Sequence, residues 1–266
     1  MQMPDLENSF ECLILRNGLS SQRFGRRLYH LSQNGTPYWL KFQLSEVQPE
    51  YEKGFLHELQ IYRKLGKLEP SILLPARIIE LNQIAEFSHL KGEGLILPHG
   101  DYWLGQPAQQ LSFEQVQQKI FAMLGCLQIL HQTGWIHGDL KPQHFLYCHN
   151  QLTLIDFEQS QPVTQVHKAT ALNATPRYMA PELFHGKIKT VRTDLYALGV
   201  ILYEWLSGKR LSARNYQDWA VLHCQTLKIR LPDVFIPFFP LLNGLLSKYK
   251  DQRFQQVNEA LYHLKY

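Results

Sequence analysis

The chain has 266 residues, with 27 Lys and Arg against 23 Asp and Glu, a formal charge of +4. Its 45% hydrophobic and 12% aromatic content is enough to offset chain entropy, which excludes intrinsic disorder, and its length fits one large domain or two small ones. No run of Lys and Arg is long enough to track a phosphate backbone, so nucleic acid is excluded as the main ligand.

The first third reads as strands. Phe10 to Leu15 and Arg27 to Leu31 alternate apolar and polar residues, and Asn34-Gly35-Thr36-Pro37 is a strong turn signal before a strand from Tyr38 to Phe42. That strand carries Lys41 among apolar neighbours. Pro49 then opens a helix whose stripe of Phe55, Leu59, Tyr62 and Leu65 ends at Gly66. Leu73 to Leu81 and Gly94 to Leu97 are expected as two further strands.

After Pro98-His99-Gly100 the pattern turns helical. Ser112 and Gln115 form a capping box for a helix through Val116, Ile120, Leu124, Leu127 and Leu130. Two four-residue strands, 145–148 and 152–155, flank His149-Asn150-Gln151. Thr193 to Leu206 is apolar nearly all round and closed by Gly208, the signature of a helix at the centre of a core. Strands first and helices later predict two lobes split near residue 98, with a ligand cleft between them.

Two features bear on location. Met1 to Asn8 lacks a basic-then-apolar export signal, and the most apolar stretch, Val234 to Leu246, contains Pro237, Pro240 and Gly244 and is too short to span a bilayer. Cys12, Cys126, Cys148 and Cys224 make no CxxC pair, which predicts reduced thiols in a cytoplasmic protein.

Chemistry concentrates in a few places. Glu58 lies on the apolar stripe of its helix and Lys41 on an apolar strand. Each is costly to bury alone, so the two are expected to pair. The sharper signal is 136–146, Ile-His-Gly-Asp-Leu-Lys-Pro-Gln-His-Phe-Leu, followed by Leu154-Ile155-Asp156-Phe157-Glu158. Folded as a hairpin, the strands between would set 144 beside 156, with Asp139 just upstream, so two carboxylates and an imidazole converge.

On these residues the chain resembles the eukaryotic-type protein kinase family along nearly its whole length. Lys41 and Glu58 look like that family's phosphate-anchoring lysine and its helix C partner. His137 to His144 is similar to the HRDLKPxN catalytic loop, and Asp156-Phe157-Glu158 to the DFG metal motif. Thr175 to Glu182 resembles the end of an activation segment, Asp194 to Gly199 the start of the central helix, and Arg253 the arginine that pairs with Glu182.

The resemblance implies an α+β bilobal fold, with an N-lobe over about 9–97, a hinge over 98–101 and a C-lobe over 102–266. It implies ATP with Mg2+ or Mn2+ as cofactors, Asp139 and Lys141 as catalytic groups, and Asp156 and His144 at the metal. Gly25, Trp39, Leu97 and Leu146, with the backbone of Pro98 and Gly100, would join Lys41 and Glu58 around the nucleotide. Phe157, Glu158, Thr175, Glu182, Asp194 and Arg253 would shape the activation segment and brace the lower lobe.

Five positions depart from the pattern. Of the glycine-rich loop only Phe24-Gly25 matches, with Ser20 and Gln22 in the other glycine places and Arg23, Arg26 and Arg27 nearby. His144 replaces the metal-binding asparagine and Glu158 the motif glycine. Trp39 stands where a small residue roofs the adenine, and Gly138 removes the arginine that reads a phosphorylated loop. The reading with the most support is a Ser/Thr protein kinase acting on a protein hydroxyl. The alternatives are a sugar- or lipopolysaccharide-type small-molecule kinase and a pseudokinase scaffold.

Overall fold

A computed structural model of the chain describes residues 3–6, 10–164 and 174–265. It divides into two compact units. One comprises Met1–Asp101 with Cys148–Gln151 and Ile155–Glu158, and the other Tyr102–Tyr147, Leu152–Leu154 and Gln159–Tyr266.

The first unit is built on an antiparallel sheet of β1 (Cys12–Leu15), β2 (Arg26–Gln33), β3 (Thr36–Gln43), β4 (Arg77–Glu80) and β5 (Glu93–Pro98), in the order β1-β2-β3-β5-β4. Asn34 and Gly35, with φ of 52° and 68°, make the two-residue turn that suits strand twist. The turn fixes a register in which Lys41 faces Leu28 on one side and Leu95 on the other. Alternation then buries Tyr38, Leu40 and Phe42 and leaves Trp39 and Lys41 together on the opposite face.

The α-helices α1 (Leu19–Arg23) and α2 (Pro49–Leu68) also belong to this unit. Helix α2 buries Phe55, Glu58, Leu59, Ile61, Tyr62 and Leu65. It runs past Gly66, the expected stop, because the true barrier is Pro70, which disfavours helical backbone in the residue before it; Glu69 has φ −151°. Strand β4 covers only part of the expected 73–81, since Pro70–Ile72 form a 3-10 turn and Pro75 has no N–H to give a ladder.

In the second unit α3 (Phe113–Gln132) starts with the expected capping box, Gln115 N donating to Ser112 Oγ at 3.2 Å and Ser112 N to Gln115 Oε1 at 2.9 Å. After α4 (Pro181–Phe184), helix α5 (Val191–Ser207) forms the core, with Leu195, Tyr196, Leu198 and Leu202 inaccessible to solvent. Helices α6 (Tyr216–Val221), α7 (Phe239–Leu245) and α8 (Val257–Lys265) follow.

The short strands of the chain are β6 (Asp101–Tyr102), β7 (Trp135–Ile136), β8 (Phe145–Cys148), β9 (Gln151–Leu154) and β10 (Gln161–Pro162). Between β8 and β9 the turn is only His149 and Asn150, both at positive φ, one residue tighter than expected. The strands are therefore 145–148 and 151–154, and the expected pairing of 144 with 156 across the ladder does not form. Asp156 lies beyond the strand with φ 66°. All four cysteines are free. Among the described residues no helix is long and apolar enough to cross a membrane.

Candidate functional site

Within the first unit, strand β3 and helix α2 bring Lys41 and Glu58 together, Nζ to Oε2 at 2.7 Å. The same ammonium lies 2.8 Å from Asp156 Oδ1 and 2.8 Å from Glu158 Oε1. The ammonium donates hydrogen bonds to Glu58 and Asp156, while Glu158 Oε1 lies at ion-pair distance without a hydrogen bond. Glu158 uses its other oxygen to pair with Arg26 at the start of β2. Glu58 Oε1 accepts from the Phe157 backbone N–H at 3.2 Å, and the Phe157 ring meets Tyr62 edge to face at 5.8 Å.

These five charged groups sum to −1, and burial decides how they share it. Glu58 is 1% exposed. Its desolvation, with repulsion from Asp156 and Glu158, exceeds the pull of Lys41 and pushes its carboxyl up to about 7. Burial also works against the Lys41 ammonium, but Asp156, Glu58 and Glu158 outweigh it and raise Lys41 well above its ordinary value. For Arg26 the opposing pull of burial is likewise exceeded by Glu158 and Asp156.

Glu58, Asp156 and Glu158 each offer an oxygen within 4.8 Å of the others. Hard carboxylate oxygens suit Mg2+ or Mn2+, so the donors present fit a divalent cation of that class.

The remaining first-unit residues frame this cluster. Trp39 shares a face with Lys41, opposite His30 on β2 and Leu97 on β5. Its indole N–H donates to His99 Nδ1 at 3.1 Å, and its ring meets the His30 edge at 5.1 Å. Leu97 and Pro98 are buried at the end of β5, and Gly100 follows half-buried. Residues 19–23, expected as a degenerate phosphate loop, form the helical turn α1 instead. Gly25 is buried at φ 84°, where a Cβ would meet Gln43 Nε2 at 2.6 Å. The Phe24 ring stacks on Tyr51 of α2 at 5.0 Å.

The second unit assembles a different group. Asp139 Oδ2 lies 2.9 Å from Lys141 Nζ, and its Oδ1 accepts from the Thr175 backbone N–H at 2.8 Å. The segment just before Thr175, 165–173, lies outside the described residues. Gly138 sits at φ 79° where a Cβ would be 2.3 Å from the Gln159 carbonyl. Glycine is therefore demanded by the backbone at the place of the missing arginine. His144 is buried and stacks on His137 with centroids 5.3 Å apart. Leu146, 7% exposed, lies in β8.

Asp194 fixes that loop by accepting from His137 N at 2.8 Å and Gly138 N at 2.9 Å, with His131 Nε2 at 3.0 Å. Burial opposes its ionisation, but His131, His137 and the Gly138 N–H prevail and hold its carboxyl below the usual range. Arg253 grips Glu182 through both nitrogens, at 2.8 and 2.9 Å.

Two participants, Lys189 and His131, are new, and Arg26 joins them from the arginines beside the missing glycine loop. Lys189 is 5% exposed, and burial lowers its pKa against the pull of Asp139 and Asp194. Nothing in its loop sequence signals this. His131, 63 residues before Asp194, is equally silent. Arg26 had a readable signal, since it alternates with Leu28 and so shares the face of Lys41.

The protein kinase domain family matches residues 33–264 of the chain. Among curated relatives, the Aurora kinase of Schizosaccharomyces pombe is 29% identical over 76% of this chain and 55% of its own length. The serine/threonine-protein kinase TIO of Arabidopsis thaliana is 33% identical over 84% of this chain and 16% of its own. The serine/threonine-protein kinase MPS1 of Saccharomyces cerevisiae is 30% identical over 70% and 25% respectively. The chain thus spans about half, or less, of the length of these relatives.

Proposed function

Because this chain belongs to the protein kinase family, we propose that it transfers the terminal phosphoryl group of ATP to a Ser or Thr hydroxyl of a protein. The observation that carries the reading is Lys41, an ammonium held at 2.7 to 2.8 Å by Glu58, Asp156 and Glu158. A surface lysine needs no such cage; a lysine aimed at phosphates does.

Phosphoryl transfer depends on positioning and charge neutralisation more than on covalent help from the protein. Lys41 neutralises the α- and β-phosphates and Glu58 fixes its direction. Asp156 and Glu158 would hold the divalent cation, which supplies charge neutralisation along the phosphate chain when bound. We take it to be Mg2+ or Mn2+, on the strength of the oxygen donors. Asp139 orients the acceptor hydroxyl and takes its proton as the new P–O bond forms; the bond to the β-phosphate oxygen breaks and ADP departs. Lys141, 2.9 Å from Asp139, offsets charge on the moving phosphoryl group. The four free thiols support a cytoplasmic location.

The test is incubation with labelled ATP and Mg2+ or Mn2+, with casein-like protein and small hydroxyl compounds as acceptors. The expected result is label on protein Ser or Thr, abolished by Asp139→Asn, with Asp156→Ala abolishing metal-dependent nucleotide binding. Label on a sugar alone overturns the protein-acceptor reading, and no label on any acceptor overturns phosphotransfer.

A further inference from the structure

The Glu158 carboxylate bridges two cations. One oxygen lies 2.8 Å from Lys41 Nζ and the other pairs with Arg26, and the side chain is only 10% exposed. A planar anion whose two oxygens each meet a different cation has the arrangement that two oxygens of a phosphate take in a cationic clamp. Arg26 is held in that clamp from a fixed base. Its strand starts directly after the buried Gly25 turn, and its guanidinium lies 6.0 Å from the Tyr51 ring centroid. The local backbone needs no phosphate loop to present it.

We infer that Arg26 is a second phosphate-binding cation beside Lys41, and that Glu158 is an internal anion occupying their shared site until a nucleotide phosphate displaces it. This rests on the ATP reading above. It makes Glu158 a competitor of the triphosphate and places Arg26 where glycine-rich backbone is missing. Binding without a divalent cation is then weak, because Glu158 stays paired with Lys41 and Arg26. With the divalent cation present it gains another partner and releases the clamp.

The experiment measures affinity for adenosine, ADP and ATP, each with and without Mg2+, by competition against a fluorescent ATP analogue. Glu158→Gln is expected to tighten Mg2+-free ATP about tenfold and leave adenosine unchanged, so that Mg2+ adds less than in the wild type. Arg26→Gln is expected to weaken ATP and ADP about tenfold and spare adenosine, with partial recovery in Arg26→Lys. Lys41 keeps two carboxylates in Glu158→Gln, so its cage survives, and circular dichroism of each variant checks the fold. ATP affinity unchanged or weakened by Glu158→Gln overturns the inference alone, as does a loss in Arg26→Gln shared equally by adenosine. A wild-type protein that binds no adenine compound overturns the ATP reading and this inference with it.

Discussion

The two charged clusters differ in composition. In the first unit, two cations, Lys41 and Arg26, are outnumbered by three carboxylates. In the second, the carboxylates Asp139 and Asp194 both pull on the buried Lys189, and Asp139 also faces Lys141 at 2.9 Å. A lysine among surplus acids is fixed in direction and strongly retained as a cation. Asp139 is fixed in direction by the Lys141 ammonium and the Thr175 backbone N–H. On the proposed mechanism the first arrangement holds a charge still and the second lets one move.

That difference makes the clusters unequally tolerant of loss. Asp139 is held through one lysine and one backbone N–H, Lys141 and Thr175. On the proposed mechanism Asp139→Asn removes the carboxylate that takes the hydroxyl proton, and general-base catalysis is worth about 10²- to 10⁴-fold. We expect kcat to fall by about 10³ with nucleotide affinity unchanged. Lys41 by contrast keeps Asp156 and Glu158 when Glu58 is lost. Glu58→Gln should therefore lower kcat/KM for ATP by only about tenfold, which is about 1.4 kcal/mol. Steady-state kinetics on both variants decide the matter; equal losses would end the claim that the first cluster is redundant and the second is not.

Backbone demands separate the regions in the same way. At Gly138 an added Cβ would strike the Gln159 carbonyl at 2.3 Å, a backbone atom that cannot swing aside. At Gly25 the obstacle at 2.6 Å is the end of the Gln43 side chain. Both residues have positive φ, which costs a non-glycine residue about 1 kcal/mol or more. Gly138→Ala is expected to cost about 3 kcal/mol, near the upper figure for strained sites, and Gly25→Ala about 1 kcal/mol. Denaturant midpoints at constant m give the comparison; a larger loss at Gly25 would place the rigid turn in the wrong unit.

The sequence made some of this legible and not the rest, for physical reasons. Period and caps are local, so strands β2 and β3, the Ser112 capping box and the buried α5 could be read directly. The Lys41–Glu58 pair could be inferred because each was a charge on an apolar face. The Glu182–Arg253 grip followed from the family resemblance alone, since nothing near either residue announces a partner 71 positions away. Turn length could not be read. His149 and Asn150 both tolerate positive φ, so the hairpin tightened by one residue and took Asp156 off the ladder. Glu158 was legible as an added negative charge, but not as the bridge between Lys41 and Arg26, because that needs the Arg26 side chain as well as its face. Lys189 left no trace, being a buried cation in a loop without periodicity.

The smallest expected effect also tests the contrast most directly, because acid acts on the two carboxylates Glu58 and Asp194 with opposite sign. The folded-state pKa of Glu58 is raised from 4.5 to about 7, so the folded protein binds a proton more readily than the unfolded chain. Its contribution to stability is fully present below about pH 4.5 and is lost as pH rises through about 7. Asp194 is lowered from 3.8; its contribution is present above that value and lost only as pH falls further. Between pH 8 and pH 5, therefore, Glu58 titrates and Asp194 does not. With one proton involved, the slope is at most about 1.4 kcal/mol per pH unit. The melting temperature of the wild type relative to Glu58→Gln should rise by a few degrees from pH 8 to pH 5. A difference that stays flat, or falls on acidification, would mean that Glu58 ionises as freely as a surface carboxylate and that the first cluster is not short of positive charge.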